Sequence, residues 1–478
     1  MNETLLKLFE NWSGEKPDSI VPLPQSGSYR KYFRITGKTK KAIGVFNNDR
    51  KENQAFISFT KHFHKHHLSV PVLYSSDIDN DVYLIEDLGD KTLFAFIEER
   101  RSKEDFPEEG IKHYQTALDE LIKFQVDASK DLDYSVCYPR NSFDRQSMQW
   151  DLNYFKYYFL KLTQTPFDEQ KLEDDFNSLI DFLTIAKRDF FMYRDFQSRN
   201  ILLKHDKLYF IDYQGGRKGA LQYDVASLLY DGKANLPQSV RDHLLNYYLK
   251  KLNAKSILNK NEFIKHYYGY VLIRILQAMG AYGFRGIYEK KVHFLKSIPF
   301  AVNNIIYLLN NDLLPNGLAE LKNTLSRLSQ NALLNNFISV DESDKLTVSI
   351  NSFSYNSGIP TDLTGNGGGY VFDCRLLNNP GRYDEFKLLT GMDDAVIKFL
   401  DNENEVQNFL NDTFSIIEHT IKSYQKRNFK QLMINFGCTG GQHRSVYCAE
   451  RLAVHIKKIF DVNVIVKHTE LEKNGMLK

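Results

Sequence analysis

Two segments of the chain group residues whose types and spacing suit work on phosphate. The first reads YRDFQSRN, from Tyr193 to Asn200, and is followed by IDYQ at 211–214. Phosphoryl transfer needs a carboxylate beside the attacking hydroxyl, and oxygen ligands for a metal ion that neutralises the phosphates. Asp195 is the candidate base, and Asn200 and Asp212 are the candidate Mg²⁺ ligands. Because Asp and Asn are also common in turns, this spacing alone is only moderately specific.

The second segment reads GCTGGQHRS, from Gly437 to Ser445, between an apolar run and a predicted helix. Backbone N–H groups at a helix N-terminus, loosened by glycines, bind anions. The loop is not a Walker A loop, because no Gly-Lys-Ser/Thr follows it. The candidate phosphate contacts are Thr439, Gly440, Gly441, His443 and Arg444.

The same loop has a second interpretation, because Cys438-x-x-Gly441-x-x-Arg444-Ser445 has the spacing of a cysteine phosphatase loop. That chemistry requires Cys438 as a thiolate and a general acid, for which Asp393 or Asp394 is a candidate. However, the loop begins Gly-Cys rather than His-Cys, and a small buried cysteine at a strand end is common. Phosphate binding is therefore expected, whereas catalysis by this loop stays open.

The elements around the first segment follow from hydrophobic periodicity. Short β-branched and aromatic runs predict strands at 29–35, 42–46 and 82–88. A helix is predicted over 51–67, and the pattern is helical from about 104 to 190. Two short strands, NILLK and LYFIDY, then bracket a turn, and helices follow to about residue 310.

A second α/β unit is predicted after a helical linker at 311–345, which is rich in Asn, Ser and Leu. Its strands are expected in LTVSINSFSY, YVFDCRLL, QLMINFGC and VNVIVKH. Helices are expected over 403–425 and from about residue 444. The sequence thus predicts an α/β protein of two domains, the second covering 346–478.

Composition restricts the class of protein. The 478 residues suggest two to four compact units, and 42% hydrophobic content supplies a globular core. The net charge of +2 argues against a polyanion-coating protein. Four cysteines without a CxxC pair favour reduced thiols. With no apolar run of about 18 residues and no signal-peptide pattern, we expect a cytoplasmic protein without a membrane partner.

The first segment resembles the aminoglycoside phosphotransferase and choline kinase superfamily at Asp195, Asn200, Asp212 and Asp224 of LQYDVASLLYD. Asp224 more often supports the loop in that family, so its role is either structural or functional. The resemblance implies a kinase-like bilobal domain over 1–310, with an N-lobe at 1–90, a C-lobe at 91–310, and ATP and Mg²⁺ as cofactors.

Within that superfamily, QSGSYRKYFRI, YLIEDLG, MQWDLNYFKYYFLK and RILQAMGAYGFRGI are similar to the anomeric kinases of N-acetylmuramate and N-acetylglucosamine. This subgroup implies a sugar hydroxyl as acceptor, in cell-wall amino-sugar recycling. The implied nucleotide contacts are Ser26, Ser28, Arg30, Glu86 and Leu88, the last two in the hinge that meets the adenine. The implied acceptor contacts are Arg199 and Arg285.

The chain departs from the usual kinase pattern on its third strand, AIGVFNN, which has no lysine. Such a lysine normally pairs with a helix carboxylate and grips the α- and β-phosphates. The gripping cation is left unassigned, with Lys41, Lys31 and Arg34 nearby, and Glu52 is a possible helix partner.

The histidine-rich run HFHKHH places His62, His64, His66 and His67 late in the predicted helix. These histidines resemble a metal tract, but no carboxylate lies near them in the sequence. We therefore expect no metal site there.

The segments SFSYNSGIP, YVFDCRLLNNPG, LTGMDDAV and GCTGGQHRSVYCAERLA resemble the C-terminal domain of the RNase adapter RapZ over about 345–470. The resemblance implies a site for a hexosamine phosphate such as glucosamine-6-phosphate, in which Asp373, Arg375 and Asn379 join the loop. The chain carries Gly381 where that family tends to have a histidine. Its final residues, KHTELEKNGMLK, are not strongly basic, so RNA binding is not favoured.

The sequence therefore predicts a sugar kinase fused to a sugar-phosphate-binding domain, with the anomeric hydroxyl as the preferred acceptor. Three alternatives remain. The first is a small-alcohol or aminoglycoside kinase, and the second is a non-catalytic regulator that binds nucleotide and RNA. The third is a cysteine phosphatase that uses Cys438. The sequence predicts no oligomeric state.

Overall fold

The computed structural model describes residues 2–24, 30–101, 106–255, 257, 259–331, 334, 345–360, 362 and 368–476. The chain divides into two compact units, Met1–Ile338 and Ser339–Lys478. Each unit combines a sheet with helices, which confirms the predicted α/β class. No helix in the described part of the chain is both long and apolar enough to cross a membrane.

The first unit opens with a five-stranded antiparallel sheet in the order β1-β2-β3-β5-β4. Its strands are β1 (Ser19–Pro22), β2 (Lys31–Thr36), β3 (Lys41–Phe46), β4 (Leu73–Asp77) and β5 (Val82–Ile85). One face packs on helix α1 (Asn2–Ser13) through Leu5 and Phe9. Because successive strand side chains point to opposite faces, Tyr32, Val45 and Tyr83 line up on the other face.

Helix α2 (Arg50–Lys65) packs against that other face, where Phe56 stacks on Tyr83 at 5.0 Å between ring centroids. The helix begins at its N-cap Asp49, whose side chain accepts a hydrogen bond from the Glu52 backbone N–H. Its buried residues recur at helical spacing, as expected for a helix with one apolar face. This packing fixes Glu52 in the first turn, above the cleft.

The remainder of the first unit is mainly helical. Its helices are α3 (Leu93–Glu98), α4 (Glu108–Ile122), α5 (Arg145–Phe155), α6 (Glu169–Thr184), α7 (Leu221–Leu229), α8 (Gln238–Ala254), α9 (Lys260–Tyr282), α10 (Val292–Leu295), α11 (Ile298–Asn310) and α12 (Ala319–Ser329). Two small antiparallel sheets pair β6 (Phe190–Met192) with β9 (Arg217–Gly219), and β7 (Ile201–Lys204) with β8 (Lys207–Phe210). These short strands carry the loops of the first candidate site.

Helix α12 lies inside the segment predicted as a linker, yet it belongs to the first unit. The Leu321 backbone N–H donates to the Asp175 carboxylate on α6 at 2.7 Å. Leu321, Leu325 and Leu328 are buried. The first unit therefore includes α12 and extends into the segment 311–345, which was predicted as a linker.

The second unit is built on a parallel sheet in the order β11-β12-β10-β13. Its strands are β10 (Thr347–Ser354), β11 (Tyr370–Asp373), β12 (Gln431–Cys438) and β13 (Asn463–His468). Its helices are α13 (Asp394–Asp401), α14 (Asn404–Lys426), α15 (Arg444–Ile459) and α16 (Thr469–Lys473). Ser354 and Cys438 are paired at the ends of β10 and β12. The loop at 437–445, called the glycine loop below, therefore leaves the carboxyl edge of the sheet. Ligand sites of open α/β sheets lie at such edges.

Candidate functional site

The loop between β6 and β7 brings the predicted base and metal ligands together. The Asn200 Nδ2 donates to the Asp195 backbone carbonyl at 2.9 Å and lies 3.5 Å from Asp212 Oδ2. The Asp195 side chain is 41% exposed, so its carboxylate is open to an incoming hydroxyl. Asp212 adopts φ +69, a left-handed conformation that side chains rarely adopt and that is frequent at functional sites.

Two buried carboxylates hold this loop in place. Asp224 on α7 accepts hydrogen bonds from the backbone N–H groups of Tyr193, at 2.8 Å, and Arg194, at 3.0 Å. Arg194 has φ +84, and its guanidinium donates to both Asp151 oxygens, at 2.6 and 2.8 Å. The loop conformation is therefore fixed from α7 and from α5.

Burial raises the pKa of the Asp224 carboxyl to about 7, although the N–H donors of Tyr193 and Arg194 oppose that rise. The Gln125 Nε2 adds a further hydrogen bond at 3.2 Å. The geometry gives Asp224 a supporting position behind the loop, one of the two roles that the sequence left open.

Arg30 links the two lobes at the same place. One of its terminal nitrogens lies 3.1 Å from Glu52 Oε1 and 3.2 Å from Asp212 Oδ1, and the other donates to the Tyr32 hydroxyl at 3.0 Å. Arg30 is 7% exposed. Burial opposes its charge, yet Tyr32, Asp212 and Glu52 together raise the pKa of the guanidinium above its ordinary value.

The other cations considered from the sequence lie elsewhere. Arg34 Nε and Lys41 Nζ both approach Asp87 Oδ2, at 3.0 and 3.6 Å, and Lys31 is exposed. On β3, the cleft-facing position between Tyr32 and Tyr83 is held by the buried side chain of Val45. The cation that reaches Asp212 thus comes from the residue that precedes β2.

The predicted hinge follows β5 and connects the lobes. The Glu86 backbone N–H donates to the Val72 carbonyl at 2.9 Å, and its carboxylate pairs with Lys204 Nζ at 2.8 Å. Leu88 is buried. Ser26 and Ser28, also predicted to contact nucleotide, lie outside the described residues.

Sequence reasoning missed Arg274, which lies beside the candidate base. Its terminal nitrogen is 3.9 Å from Asp195 Oδ1, and its Nε donates to the Ser227 hydroxyl at 3.0 Å. A small cavity next to Arg274 is also lined by Gln197 and Asp231. An arginine inside the long apolar helix α9 was the available signal, because a buried charge is rarely left without a partner.

The two predicted acceptor contacts have different surroundings. Arg199 is exposed on the loop between β6 and β7. Burial raises the pKa of Tyr282, which lines the cavity, and the positive charge of Arg199 opposes that rise. Arg285 forms an ion pair with Glu289, four residues later, at 2.8 Å.

In the second unit, the glycine loop folds back over Cys438. The Gly441 backbone N–H donates to Cys438 Sγ at 3.2 Å, and the Ser445 hydroxyl lies 3.1 Å from the same sulfur. The Ser354 hydroxyl donates to the Thr439 carbonyl. Gly441 has φ +66, and a Cβ added there would lie 2.5 Å from the Glu470 side chain. A Cβ added at Gly440 would meet no atom of the other described residues within 4 Å. The loop therefore leaves open space beside Gly440, near the start of α15.

Arg444 joins this loop to the segment that follows β11. One of its terminal nitrogens donates to the carbonyls of Arg375 and Leu377, at 3.0 and 2.9 Å. Its Nε is buried and has no hydrogen-bond partner among the described residues. The Arg375 guanidinium pairs with Asp373 and lies over the ring of Tyr355, 4.0 Å from the ring centroid.

Asn379 and His443 complete the surroundings of the loop. The Asn379 Oδ1 accepts a hydrogen bond from the Gly381 backbone N–H at 3.2 Å. A Cβ added at Gly381 would lie 3.4 Å from the His443 ring. The His443 Nε2 lies 2.9 Å from the Phe386 carbonyl. Burial lowers the pKa of His443, so its ring is a neutral donor at neutral pH rather than a cation.

The surroundings of Cys438 bear on the phosphatase interpretation. The thiol is 3% exposed. Asp393 accepts hydrogen bonds from the backbone N–H and hydroxyl of Thr390, at 2.6 and 2.9 Å. This candidate acid therefore supports a turn, and the candidate nucleophile is buried.

Comparison with known proteins agrees with this division of the chain. Residues 19–256 match the model of the phosphotransferase enzyme family, and residues 346–472 match the model of the RapZ C-terminal domain. A nucleotide-binding protein of Histophilus somni is 31% identical over 249 residues, which cover 51% of this chain and 80% of that protein. The RNase adapter protein RapZ of Yersinia pseudotuberculosis is 41% identical over 129 residues, which cover 27% of this chain and 43% of RapZ.

Further matches cover between 33% and 66% of this chain. A nucleotide-binding protein of Saccharophagus degradans is 35% identical over 33% of this chain, and the chain spans about half the length of this relative. Among solved structures, an ethanolamine kinase of Plasmodium vivax has a TM-score of 0.46 and 13% identity, over 62% of this chain and 85% of that one. A choline kinase of Cryptosporidium parvum has a TM-score of 0.44 and 10% identity, over 66% and 98%.

A cluster of Asp, Asn and Asp at the cleft of a two-lobed domain, together with the family match, makes the first unit a kinase. The chain belongs to the phosphotransferase enzyme family over residues 19–256 and carries a RapZ C-terminal domain over residues 346–472.

Proposed function

We propose that the first unit transfers the γ-phosphate of ATP to a sugar hydroxyl, preferably the anomeric hydroxyl of N-acetylmuramate or N-acetylglucosamine. The observation that carries the phosphotransfer part is the contact of Asn200 with both Asp195 and Asp212, closed from the other lobe by Arg30. Asp212 then lies within about 3.5 Å of both the other proposed metal ligand and the phosphate-binding cation, and Asn200 also holds the backbone of the proposed base.

Asp195 is the residue that accepts the proton of the attacking hydroxyl. Its carboxylate is partly exposed, and Arg274 approaches one of its oxygens at 3.9 Å, which leaves the other oxygen available to the acceptor. A positioned general base contributes about 10²–10⁴-fold to such reactions. Asp224 and Asp151 keep the loop in the conformation that this role requires.

Asn200 and Asp212 fit a magnesium ion, because Mg²⁺ prefers carboxylate and amide oxygens. Arg30 and Gln214 both contact Asp212 Oδ1, at 3.2 and 2.8 Å, whereas Asp212 Oδ2 faces Asn200. When bound, the ion supplies positive charge that neutralises the nucleotide phosphates.

Arg30 is the proposed replacement for the missing third-strand lysine. It is held by Glu52 of α2, as the usual lysine is held by a helix carboxylate. A guanidinium can keep one contact with Glu52 and offer its remaining donors to the α- and β-phosphates. The hinge at Glu86 and Leu88 would meet the adenine.

The small cavity beside Arg274, which has room for about one water molecule, adds polar groups near the proposed base. Gln197 is buried there, and its Oε1 has no hydrogen-bond partner among the described residues. The carboxylate of Asp231 lines the same cavity. Buried unpaired acceptors of this kind are satisfied by hydroxyl or amide donors of a ligand. The amino-sugar identity rests on the motifs shared with the anomeric kinases.

The second unit is proposed to bind a hexosamine phosphate such as glucosamine-6-phosphate, either to tune the kinase or to hold its product. The amides of the glycine loop lie at the N-terminus of the 16-residue helix α15, which favours a phosphate. Arg444, whose Nε is buried without a hydrogen-bond partner among the described residues, is the proposed cation of the site. Asp373, Arg375 and Asn379 would contact the sugar. ATP as co-substrate suits a cytoplasmic protein.

The test is a panel of acceptors. The protein is incubated with Mg-ATP and N-acetylmuramate, N-acetylglucosamine, glucosamine, choline, ethanolamine or an aminoglycoside, and products are assigned by phosphorus NMR. We expect a sugar 1-phosphate from one of the N-acetylated sugars. A 6-phosphate, or a product only from choline, ethanolamine or the antibiotic, would overturn the anomeric assignment. No product from any acceptor would favour a nucleotide-binding regulator.

A further inference from the structure

The last turn of α2 and the segment after α4 bring three metal-ligating side chains together. His62 and His66 are four residues apart, so both project from one face of α2. Asp131 comes from 65 residues further along the chain, and its Oδ1 lies 2.8 Å from His66 Nε2 and 3.7 Å from His62 Nε2. One ligand atom from each residue lies within 4.8 Å of the other two.

These separations match those of ligands around one small ion. Zinc binds imidazole nitrogen and carboxylate oxygen at about 2.0–2.2 Å, so two ligand atoms of a tetrahedral site lie roughly 3.4 Å apart. The two measured separations, 2.8 and 3.7 Å, bracket that value. Small rotations of three side chains, without a change in the backbone, would therefore complete the ligand set.

The neighbouring groups suit such a site. Lys65 Nζ contacts the other oxygen of Asp131, Oδ2, at 3.2 Å, where it can orient the carboxylate without occupying the position of the ion. The Ala128 carbonyl lies 2.7 Å from His62 Nε2, a hydrogen bond that is given up when this nitrogen binds the ion. The side chains of His62, His66 and Asp131 are 12, 26 and 45% exposed, so an ion can enter from solvent.

We propose that His62, His66 and Asp131 bind a divalent transition-metal ion of the zinc class, with water completing the coordination. From the sequence alone we expect no metal there, because no carboxylate lies near these histidines along the chain, but the fold brings Asp131 to them. The site is distinct from the phosphotransfer cluster, but both involve α2, which carries Glu52 in its first turn and His62 in its last. A bound ion would fasten the end of α2 to the segment after α4.

The experiment uses the full chain, stripped of metal by a chelator. Zn²⁺ binding is measured by calorimetry, and Co²⁺ is used as a spectroscopic probe of tetrahedral coordination. We expect one tight site in the wild type. His66→Ala and Asp131→Asn should each weaken it by more than about 100-fold, because removing a ligand costs more than removing an outer-shell partner.

His64→Ala is the matched control, because His64 belongs to the same run but its Nε2 contacts the Pro71 carbonyl at 3.1 Å instead. This variant should bind Zn²⁺ as the wild type does. Circular dichroism of each variant without metal checks that it is folded, and Asp131→Asn keeps a side chain of the same shape. No tight site in the wild type, or equal Zn²⁺ affinity and equal Co²⁺ spectra in the wild type and His66→Ala, would overturn the proposal.

Discussion

Three oxygen-bearing side chains, Tyr32, Glu52 and Asp212, converge on the guanidinium group of Arg30. A buried cation among such partners is expensive to remove, because its carboxylates would be left unpaired. The arrangement also places several N–H donors beside Asp212, the proposed Mg²⁺ ligand, where nucleotide phosphates would bind in the proposed function. Arg30 is therefore the residue whose proposed role is most open to test by substitution.

Arg30→Ala is expected to lower kcat/KM for ATP by about 10²–10³-fold, because a fixed cation at developing phosphate charge is lost. Arg30→Lys should recover only part of this, since an ammonium lacks the planar fork of donors by which a guanidinium holds several oxygens at fixed positions. Steady-state kinetics with varied ATP, and nucleotide affinity by calorimetry, are the measurements. Arg50→Ala is the control, because Arg50 is exposed and its guanidinium donates to Asp81 and to the Asp79 carbonyl, away from Asp212.

Retention of ATP kinetics in Arg30→Ala, combined with their loss in Lys41→Ala, would contradict the assignment. That result would mean that Lys41 leaves Asp87 and grips the phosphates instead.

At the scale of elements, the loop between β6 and β7 depends on α7. Asp224 of this helix accepts hydrogen bonds from the backbone N–H groups of Tyr193 and Arg194 in the loop. Asp224→Asn preserves the shape but replaces one acceptor oxygen by an NH₂ group that faces a donor. We expect it to lower the free energy of unfolding by about 1–3 kcal/mol, the usual effect of an unsatisfied buried polar group. The exposed Asp242→Asn on α8 should change it by less than about 0.5 kcal/mol.

The stability difference between wild type and Asp224→Asn should also depend on pH. Because burial raises the folded-state pKa of Asp224 to about 7, the folded chain holds this proton more tightly than the unfolded chain. Its stabilising effect is therefore complete at low pH and declines as pH rises toward 7. Denaturant unfolding at several pH values measures it, and a difference that widens between pH 5 and 7.5 would contradict this account.

Many of the helices and strands were predictable from the sequence. The helix predicted over 51–67 is α2, Arg50–Lys65, because apolar residues recur there at helical spacing. The strand predicted at 42–46 is β3, and β5 occupies the first part of the strand predicted at 82–88. The sequence pattern predicts a linker where α12 lies. The contact that holds this helix is with Asp175, which is far away in the sequence, so local patterning cannot reveal it.

The same limit applies to the site. The D-x4-N…D pattern is local, so Asp195, Asn200 and Asp212 could be picked out from their spacing. The contacts of Arg274 with Asp195, and of Asp131 with His66, join residues 79 and 65 positions apart, and spacing cannot reveal them. Likewise, Arg30 could be proposed as a nucleotide contact, but not as the partner of Glu52, because cross-lobe packing decides that contact.

At the scale of the whole molecule, each of the two units carries one of the two proposed phosphate sites. We propose phosphoryl transfer at the first site and phosphate binding at the second. The buried Cys438 thiol and the engaged Asp393 carboxylate argue for binding rather than hydrolysis at the glycine loop.

We therefore expect no release of inorganic phosphate from glucosamine-6-phosphate above background, measured by a phosphate assay with wild type and Cys438→Ser in parallel. In the same preparations, Asp195→Asn should bind glucosamine-6-phosphate with wild-type affinity, since Asp195 belongs to the other unit. Phosphate release by the wild type that disappears in Cys438→Ser would restore the phosphatase interpretation.

The central claim is that Asp195 serves as the base of an ATP-dependent phosphotransfer to a sugar hydroxyl. The most direct measurement compares wild type and Asp195→Asn by phosphorus NMR with Mg-ATP and the preferred sugar, alongside ATP affinity by calorimetry. We predict that the wild type converts ATP and sugar to ADP and sugar phosphate in equal amounts. Asp195→Asn should turn over at least about 10²-fold more slowly while its ATP affinity is unchanged. Turnover at the wild-type rate in Asp195→Asn would contradict the account.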